Sequence, residues 1–316
     1  MFDPLERVAV GDTGVRVSRI GFGGAHFAPA PGRDEPLEPA AMVRAAFEQG
    51  VRYFDTAPLY SLGESERYLG EVLSGMPRDE IVVSTKVGRI LDDSRRGWHF
   101  DFSRDAVLRS LDASLRRLGL DRVDILYIHD ADEHWEQAIS EAFPALAELR
   151  AQGVVKAIGA GMNQWEMELR FAKEGDFDVF LLAGRYTLLE QTSAAEFLPY
   201  CHAHGIGVVV GGPYNSGILA SDLDAPANYN YRPAPPEVLE RARRLKGICD
   251  RHGVSLKAAA LRFVLAHPAV VSAIPGPRTV GEVAENLALA AAPIPAALWD
   301  ELKREGLLAA DAPVPA

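Results

Sequence analysis

Ile81-Val-Val-Ser-Thr-Lys86, Ser103-Arg-Asp-Ala-Val-Leu-Arg-Ser-Leu-Asp-Ala-Ser-Leu-Arg-Arg-Leu118 and Val123-Asp-Ile-Leu-Tyr-Ile-His129 follow one another along the chain. The outer two are short apolar runs of strand length. The segment between them has helical period, opens on Ser103 as an N-cap and stops at Gly119. Strand, helix and strand in that order make a βα unit of a parallel sheet. The alternation extends in both directions. Further strands are expected at Ile20 to Phe22, Tyr53 to Asp55, Val155 to Gly159, Val179 to Ala183, Gly207 to Val210 and Val271 to Pro275, eight in all. Further helices are expected at Pro39 to Gln49, Ser65 to Leu73, Ala138 to Ala151, Gln164 to Lys173, Ala194 to His204 and Pro236 to Arg251.

Repeated units without a Pro- or Ser-rich linker predict one α/β domain over residues 1–316, a closed (β/α)8 TIM barrel. A β-hairpin precedes it, with Arg7 to Val10 and Val15 to Ser18 flanking the turn Gly11-Asp-Thr-Gly14. A doubly wound dinucleotide fold would want Gly-x-Gly-x-x-Gly after its first strand, and Gly21-Phe-Gly-Gly24 lacks that spacing. Val87 to Phe102 and Gly211 to Pro235 are too long for simple connections. Both follow strands, so both fall on the C-terminal face, where barrel enzymes build their sites.

The 316 residues are 48% hydrophobic with a formal charge of −11. That balance, with no basic run, argues against a nucleic-acid partner. No charged segment leads into an apolar one at the start, and no uninterrupted apolar stretch reaches the roughly 18 residues of a membrane span. A cytoplasmic protein with a small-molecule partner is expected; nothing in the chain specifies an oligomer. Cys201 and Cys249 read as free thiols in helices. No metal is expected at Cys201-His-Ala-His204, because positions i and i+2 of a helix face different ways.

The chemistry concentrates at strand ends. Tyr53-Phe-Asp-Thr-Ala-Pro-Leu-Tyr60 ends a strand in Asp55 and delivers Tyr60 five positions later; the next strand ends in Lys86 and the following one in His129. In a barrel these come from consecutive strand ends on one rim and can converge. A phenol has an ordinary pKa of about 10, so it needs help to accept a proton at neutral pH. A buried Lys86 ammonium, kept charged by Asp55, would favour the phenolate of Tyr60. A neutral His129 would donate a hydrogen bond to a substrate oxygen.

Asp55, Tyr60, Lys86 and His129 in that order resemble the tetrad of the aldo-keto reductase family. The resemblance runs over nearly the whole chain: the hairpin, Asp55-Thr-Ala-Pro-Leu-Tyr60 with Gly63-Glu-Ser-Glu66, Ser84-Thr-Lys86, Leu126-Tyr-Ile-His129, and Ile274-Pro-Gly-Pro-Arg-Thr279 leading to Ala284-Glu-Asn286. It implies hydride transfer between a nicotinamide and a carbonyl or alcohol carbon, with Tyr60 as acid/base, Lys86 and Asp55 tuning it, and His129 orienting the substrate. It also implies cofactor contacts without a Rossmann turn. Gly24 and Asp55 would lie near the nicotinamide ribose and Asn163 near the carboxamide. The loop Gly212 to Gly217, with Tyr214 and Ser216, would follow the pyrophosphate. Gly276, Arg278, Glu282, Glu285 and Asn286 would surround the adenosine end.

The chain departs from relatives in three places. Gly159-Ala-Gly-Met-Asn163 stands where many have Ser-Asn, Ala183 where many have glutamine, and Gly276 and Glu282 where NADPH-dependent relatives carry basic residues. A carboxylate at Glu282 would repel a 2′-phosphate, so NAD is the expected cofactor, with Arg278 leaving NADP open. Leu181-Leu-Ala-Gly-Arg-Tyr-Thr-Leu-Leu-Glu190 and the Gly-x-Gly-x-Asn loop resemble the family's aldose 1-dehydrogenase branch, which oxidises sugars such as L-fucose or threo-configured aldoses, and pyridoxal as its hemiacetal. Of the polar loop Arg89, Asp92, Asp93, Arg95, Arg96, Trp98 and His99, Trp98 and His99 are the expected substrate contacts, beside Tyr60 and His129. Two alternatives are an NADPH-dependent aldehyde or ketone reductase and a non-enzymatic, nucleotide-binding interaction subunit.

Overall fold

The computed structural model describes residues 2–27, 38–92, 94, 96–225 and 227–315; Asp93 and Arg95 lie outside the described residues. The chain enters through an antiparallel hairpin, β1 (Arg7–Ala9) and β2 (Arg16–Ser18), with Val8 opposite Val17. Then follow β3 (Phe22–Gly23), β4 (Tyr53–Asp55), β5 (Val82–Val87) and the short hairpin β6 (Arg89–Leu91) and β7 (Trp98–Phe100). Next come β8 (Ile125–His129), β9 (Ala157–Met162), β10 (Val179–Ala183), β11 (Gly207–Gly211), a second short hairpin β12 (Asn228–Tyr229) and β13 (Arg232–Pro233), and β14 (Val270–Ile274).

Eight of these strands form one sheet in the order β3-β4-β5-β8-β9-β10-β11-β14, and every pairing in it is parallel. A parallel bridge from Ile20 to Ala273, with Gly21 N–H donating to Ala273 O at 2.9 Å and Gly23 N–H to Pro275 O at 3.1 Å, joins the two edges and closes the barrel. This is the expected (β/α)8 architecture with its N-terminal hairpin.

The helices are α1 (Pro39–Glu48), α2 (Glu64–Leu73), α3 (Arg104–Leu118), α4 (Trp135–Gln137), α5 (Phe143–Ala151), α6 (Trp165–Glu174), α7 (Phe197–Ala203), α8 (Pro236–Arg251), α9 (Leu256–Val264), α10 (Val280–Ala291) and α11 (Ala296–Arg304). Ser103 caps α3 by accepting from Ala106 N–H, and Gly119 ends it in the left-handed conformation. Helix α9 is absent from the expected set, and its sequence explains why. Leu256, Ala258, Ala259, Ala260, Leu261, Phe263 and Val264 are all buried, so the helix is apolar around most of its circumference and shows little period. Strand β9 runs to Met162 rather than ending at Gly159. A Cβ on Gly159 would lie 2.0 Å from the Val179 carbonyl, so this glycine admits a neighbouring strand instead of stopping its own.

Strand alternation sorts the apolar residues into two layers. Phe54, Leu126, Ile128, Ile158 and Phe180 face outward, into the core beneath the helices. Tyr53, Val82, Ile125, Tyr127, Val179 and Val209 fill the barrel and continue into Val10, Val15 and Val17 of the hairpin, which seals the N-terminal end. The inward set at the other end follows from the same parity. Two residues beyond Tyr53 comes Asp55, four beyond Val82 comes Lys86, and two beyond Tyr127 comes His129. Among the described residues, no helix is long and apolar enough to cross a membrane.

Candidate active site

Lys86 Nζ lies 2.7 and 2.9 Å from the two carboxylate oxygens of Asp55 and 2.8 Å from the Thr56 carbonyl. Three acceptors use the three ammonium protons. The pair is almost sealed, Lys86 being 1% and Asp55 2% exposed. Burial pushes both groups toward neutrality, and each one's charge holds the other ionised. Ser84 Oγ donates to Asp55 Oδ1 at 2.7 Å and lies 3.1 Å from the Tyr53 hydroxyl, which in turn meets the Tyr127 hydroxyl. The carboxylate therefore stands on a hydrogen-bonded floor inside the barrel.

Tyr60 enters a one-turn 3-10 segment, Tyr60–Gly63, in which Ser61 and Leu62 take positive φ. The motif after it anchors this turn. Ser65 Oγ donates to Gly24 O at 2.8 Å and meets Thr56 Oγ1 at 2.7 Å; buried Glu66 accepts from Thr85 Oγ1 and from Arg117 Nε. The Tyr60 ring, half-buried, is thereby set 4.7 Å from Lys86 Nζ and edge-on to His129, with ring centroids 5.8 Å apart. The His129 imidazole is held well below its ordinary pKa by burial first, then by Lys86 and Arg89. It is neutral. Its Nδ1 is buried with no partner.

The electrostatics differ from the sequence reading in one respect. The Lys86 ammonium is offset by the Asp55 carboxylate that it bonds. Burial pushes Tyr60 well above its ordinary range, the carboxylates of Asp55 and Asp130 and the Tyr231 phenol add to the effect, and Arg89 is the cation that opposes it. Asp130 and Tyr231 were not singled out from sequence. Asp130 reads there as a residue one past the strand end, and Tyr231 belongs to a hairpin that only the fold brings over the rim.

The expected cofactor positions gather along one side of the mouth. Gly212, Asn215, Ser216 and Gly217 all have positive φ, and nothing lies within 4 Å of where a Gly217 Cβ would be. That open, left-handed loop is a cradle of the kind backbone N–H groups offer to phosphate oxygens, so these residues fit a dinucleotide. Tyr214 O–H donates to Asn286 Oδ1 at 2.7 Å, tying the loop to α10. Asn163 Nδ2 donates to Ala183 O at 2.6 Å across the ends of β9 and β10. Gly24 and Gly276 are demanded by packing: a Cβ on the first would lie 2.7 Å from Ser65 Oγ, and on the second 2.4 Å from His26 Nδ1. Glu282 is committed to the start of α10, where its carboxylate accepts from Arg278 N–H at 2.7 Å while Thr279 Oγ1 accepts from Glu282 N–H at 3.1 Å. Glu285 pairs with Lys257.

On the substrate side the two expected contacts separate. Arg89 pairs with Phe100 and Leu91 with Trp98, while Ile90 pairs with His99. Alternation therefore puts His99 on the opposite face, where it is exposed and meets Asp92 Oδ1 at 3.1 Å. The structure does not bring His99 to the site. Trp98 lies on the site face, its ring 4.5 Å from the Arg89 guanidinium.

A buried lysine–aspartate pair beneath a tyrosine and a neutral histidine, on the C-terminal rim of a (β/α)8 barrel, is equipment for moving a proton at a substrate oxygen. The Aldo/keto reductase family profile matches residues 19–304, and the chain belongs to this family of oxidoreductases. It is 40% identical to the D-threo-aldose 1-dehydrogenase of a Pseudomonas species, covering 95% of this chain and 97% of that one. It is 39% identical to the pyridoxal 4-dehydrogenase of Microbacterium luteolum, covering 96% and 98%. In fold it superposes on an aldo-keto reductase of Bacillus halodurans with a TM-score of 0.79 over 95% of both chains, at 24% identity.

Proposed function

We propose that this oxidoreductase is an NAD-dependent aldose 1-dehydrogenase, oxidising the cyclic hemiacetal of a sugar at C1 to the lactone. The observation that carries the reading is the near-full-length similarity to the D-threo-aldose enzyme. Pyridoxal, which the other relative's name specifies, also closes to a cyclic hemiacetal through its neighbouring hydroxymethyl group, so both names point to one reacting group, a ring carbon bearing H and OH.

Tyr60 takes the proton of the anomeric hydroxyl, and His129, neutral, donates from Nε2 to the same oxygen and holds C1 in place. Asp55 and Lys86 keep a fixed, fully hydrogen-bonded charge pair beneath the phenol, so the site does not reorganise as charge develops. A bound oxidised nicotinamide supplies the acceptor for the C1 hydride. Gly212 to Gly217 with Tyr214 and Asn286 would hold the dinucleotide. Glu282 supports NAD over NADP: its carboxylate already occupies the anion-favouring start of α10, where a 2′-phosphate would meet like charge.

The raised phenol fixes the sign of the pH dependence. Tyr60 stays O–H through neutral pH, so oxidation, which needs the phenolate, gains about tenfold per pH unit until the group titrates. Reduction, which needs the proton, is flat over the same range. Initial rates from about pH 7 to about pH 9 are expected to climb for oxidation without a plateau. An oxidation profile already level below about pH 8 would contradict the field around Tyr60.

The acid form of Tyr60 is also the one observation that favours the second reading, NADPH-linked reduction of aldehydes. Incubating the purified protein with NAD and a panel of L-fucose, D-arabinose and pyridoxal, and following reduced nicotinamide, separates the two. The expected result is sugar-dependent reduction of NAD, with kcat/KM for NADP lower by about tenfold or more. Silence with NAD, together with NADPH consumption by simple aldehydes, would replace the dehydrogenase by a reductase.

A further inference from the structure

We propose that Asp130 and Arg89 form the hydroxyl-recognition pair of this site, the carboxylate accepting from and the guanidinium donating to the sugar hydroxyls adjacent to the reacting carbon. The proposal rests on the aldose reading above and deepens it.

The placement of Asp130 is anomalous for its position. Ile128 faces the outer core and His129 the barrel mouth, so alternation would send residue 130 outward again. Instead Asp130 has a φ of 48°, a left-handed conformation that a non-glycine residue adopts at a cost in free energy. Its N–H still donates to Gly161 O at 3.0 Å, so the strand pairing continues while the side chain changes direction. The result is a carboxylate oxygen 3.6 Å from His129 Nε2 and 2.5 Å from Arg89 Nη2. Strain maintained at the residue next to a proposed catalytic group points to function rather than to folding.

Arg89 opens β6, two residues past the end of β5, and is held by rings, 4.5 Å from Trp98 and 5.1 Å from Phe100. Both partners of the pair are largely withdrawn from solvent, their side chains 18% and 24% exposed. The pair is also under-used. Arg89 Nε is buried and has no acceptor, and Asp130 Oδ1 makes no hydrogen bond among the described residues. A salt bridge serving only the fold would satisfy the Arg89 nitrogen, because an unmade buried hydrogen bond is costly. Here the guanidinium keeps an unspent donor, and the carboxylate it holds faces His129 Nε2.

That combination suits a substrate with hydroxyls next to its reacting carbon and offers nothing to a plain aldehyde. Asp130 Oδ2 faces His129 Nε2 at 3.6 Å. With an aldose present, Nε2–H turns to the anomeric oxygen and Asp130 accepts from the neighbouring hydroxyl, so the pair sets the sugar's orientation without taking part in proton transfer.

The test compares full-length wild type, Asp130→Asn and Arg89→Met on two substrates, the best aldose of the panel with NAD and n-butanal with reduced nicotinamide. Thermal unfolding of each variant is measured alongside. The pair predicts that kcat/KM for the aldose falls by roughly 100-fold, mainly through KM, and at least about tenfold further than that for n-butanal, whose smaller change reads the altered field on Tyr60. Equal losses on both substrates, or no loss on the aldose, overturn the proposal. Arg89→Met keeps an aliphatic stem between the rings, so it decides the matter should Asp130→Asn fail to fold. A wild type that oxidises aldoses while the variants lose nothing selectively removes the pair alone. A wild type that reduces n-butanal but oxidises no aldose removes the aldose reading with it.

Discussion

Tyr60→Phe is expected to lower kcat by about 1,000-fold or more, within the range that a positioned acid/base contributes, while leaving stability unchanged to within about 0.5 kcal/mol. The separation follows from the geometry. The ring makes the contacts with Lys86 and His129, and phenylalanine keeps it. The hydroxyl makes no hydrogen bond among the described residues, so its loss leaves no buried group unsatisfied. Cofactor binding, followed by nicotinamide fluorescence, should be unaffected, because the proposed dinucleotide contacts lie on other loops. A variant retaining a tenth of wild-type turnover would show that the proton moves through some other group, and would end the role assigned to Tyr60.

The second large effect is on the fold. Lys86→Met is expected to cost about 3–5 kcal/mol, because it leaves the Asp55 carboxylate buried without its counter-charge. Asp55 cannot relax toward water; it is 2% exposed, with Ser84 as its one remaining donor among the described residues. The double variant Asp55→Asn with Lys86→Met removes both charges and should recover a substantial part of the loss, giving a coupling of at least about 1 kcal/mol in a double-mutant cycle. Both variants should be inactive. Urea unfolding followed by tryptophan fluorescence measures the stabilities. If Lys86→Met unfolds at the wild-type midpoint, the pair is not charged in the native state, and the account of a fixed charge pair beneath Tyr60 is wrong.

These two predictions draw on different kinds of information. That Asp55, Tyr60, Lys86 and His129 belong together could be read from the chain, because strand and helix periods are local and a polar residue ending an apolar run stands out from it. What each residue feels could not. The sequence reading had Lys86 acidifying the phenol; the structure shows its three protons already given to Asp55 and Thr56, with Asp130 and Arg89 setting the remaining field on Tyr60. Electrostatic sign depends on distances between groups far apart in the chain.

The same division runs through the rest of the molecule. Composition and pattern by themselves determined the eight parallel strands, the entry hairpin and the rim on which the polar strand ends would meet, since side-chain period and turn chemistry act over a few residues. Only the tertiary structure decided the rest. Helix α9 is buried on nearly every side, so it had no period to betray it. Gly159 looked like a strand end, yet serves the approach of β10. His99 and Trp98 were equivalent as neighbours on a polar loop, and the pairing of β6 with β7 sent them to opposite faces. The left-handed turn of Asp130 is set by what packs around it, and no local rule for an aspartate after a strand would aim it at His129. Local periodicity settles where the elements are; which side chains share a charge, a face or a cavity is settled only when distant segments close on one another.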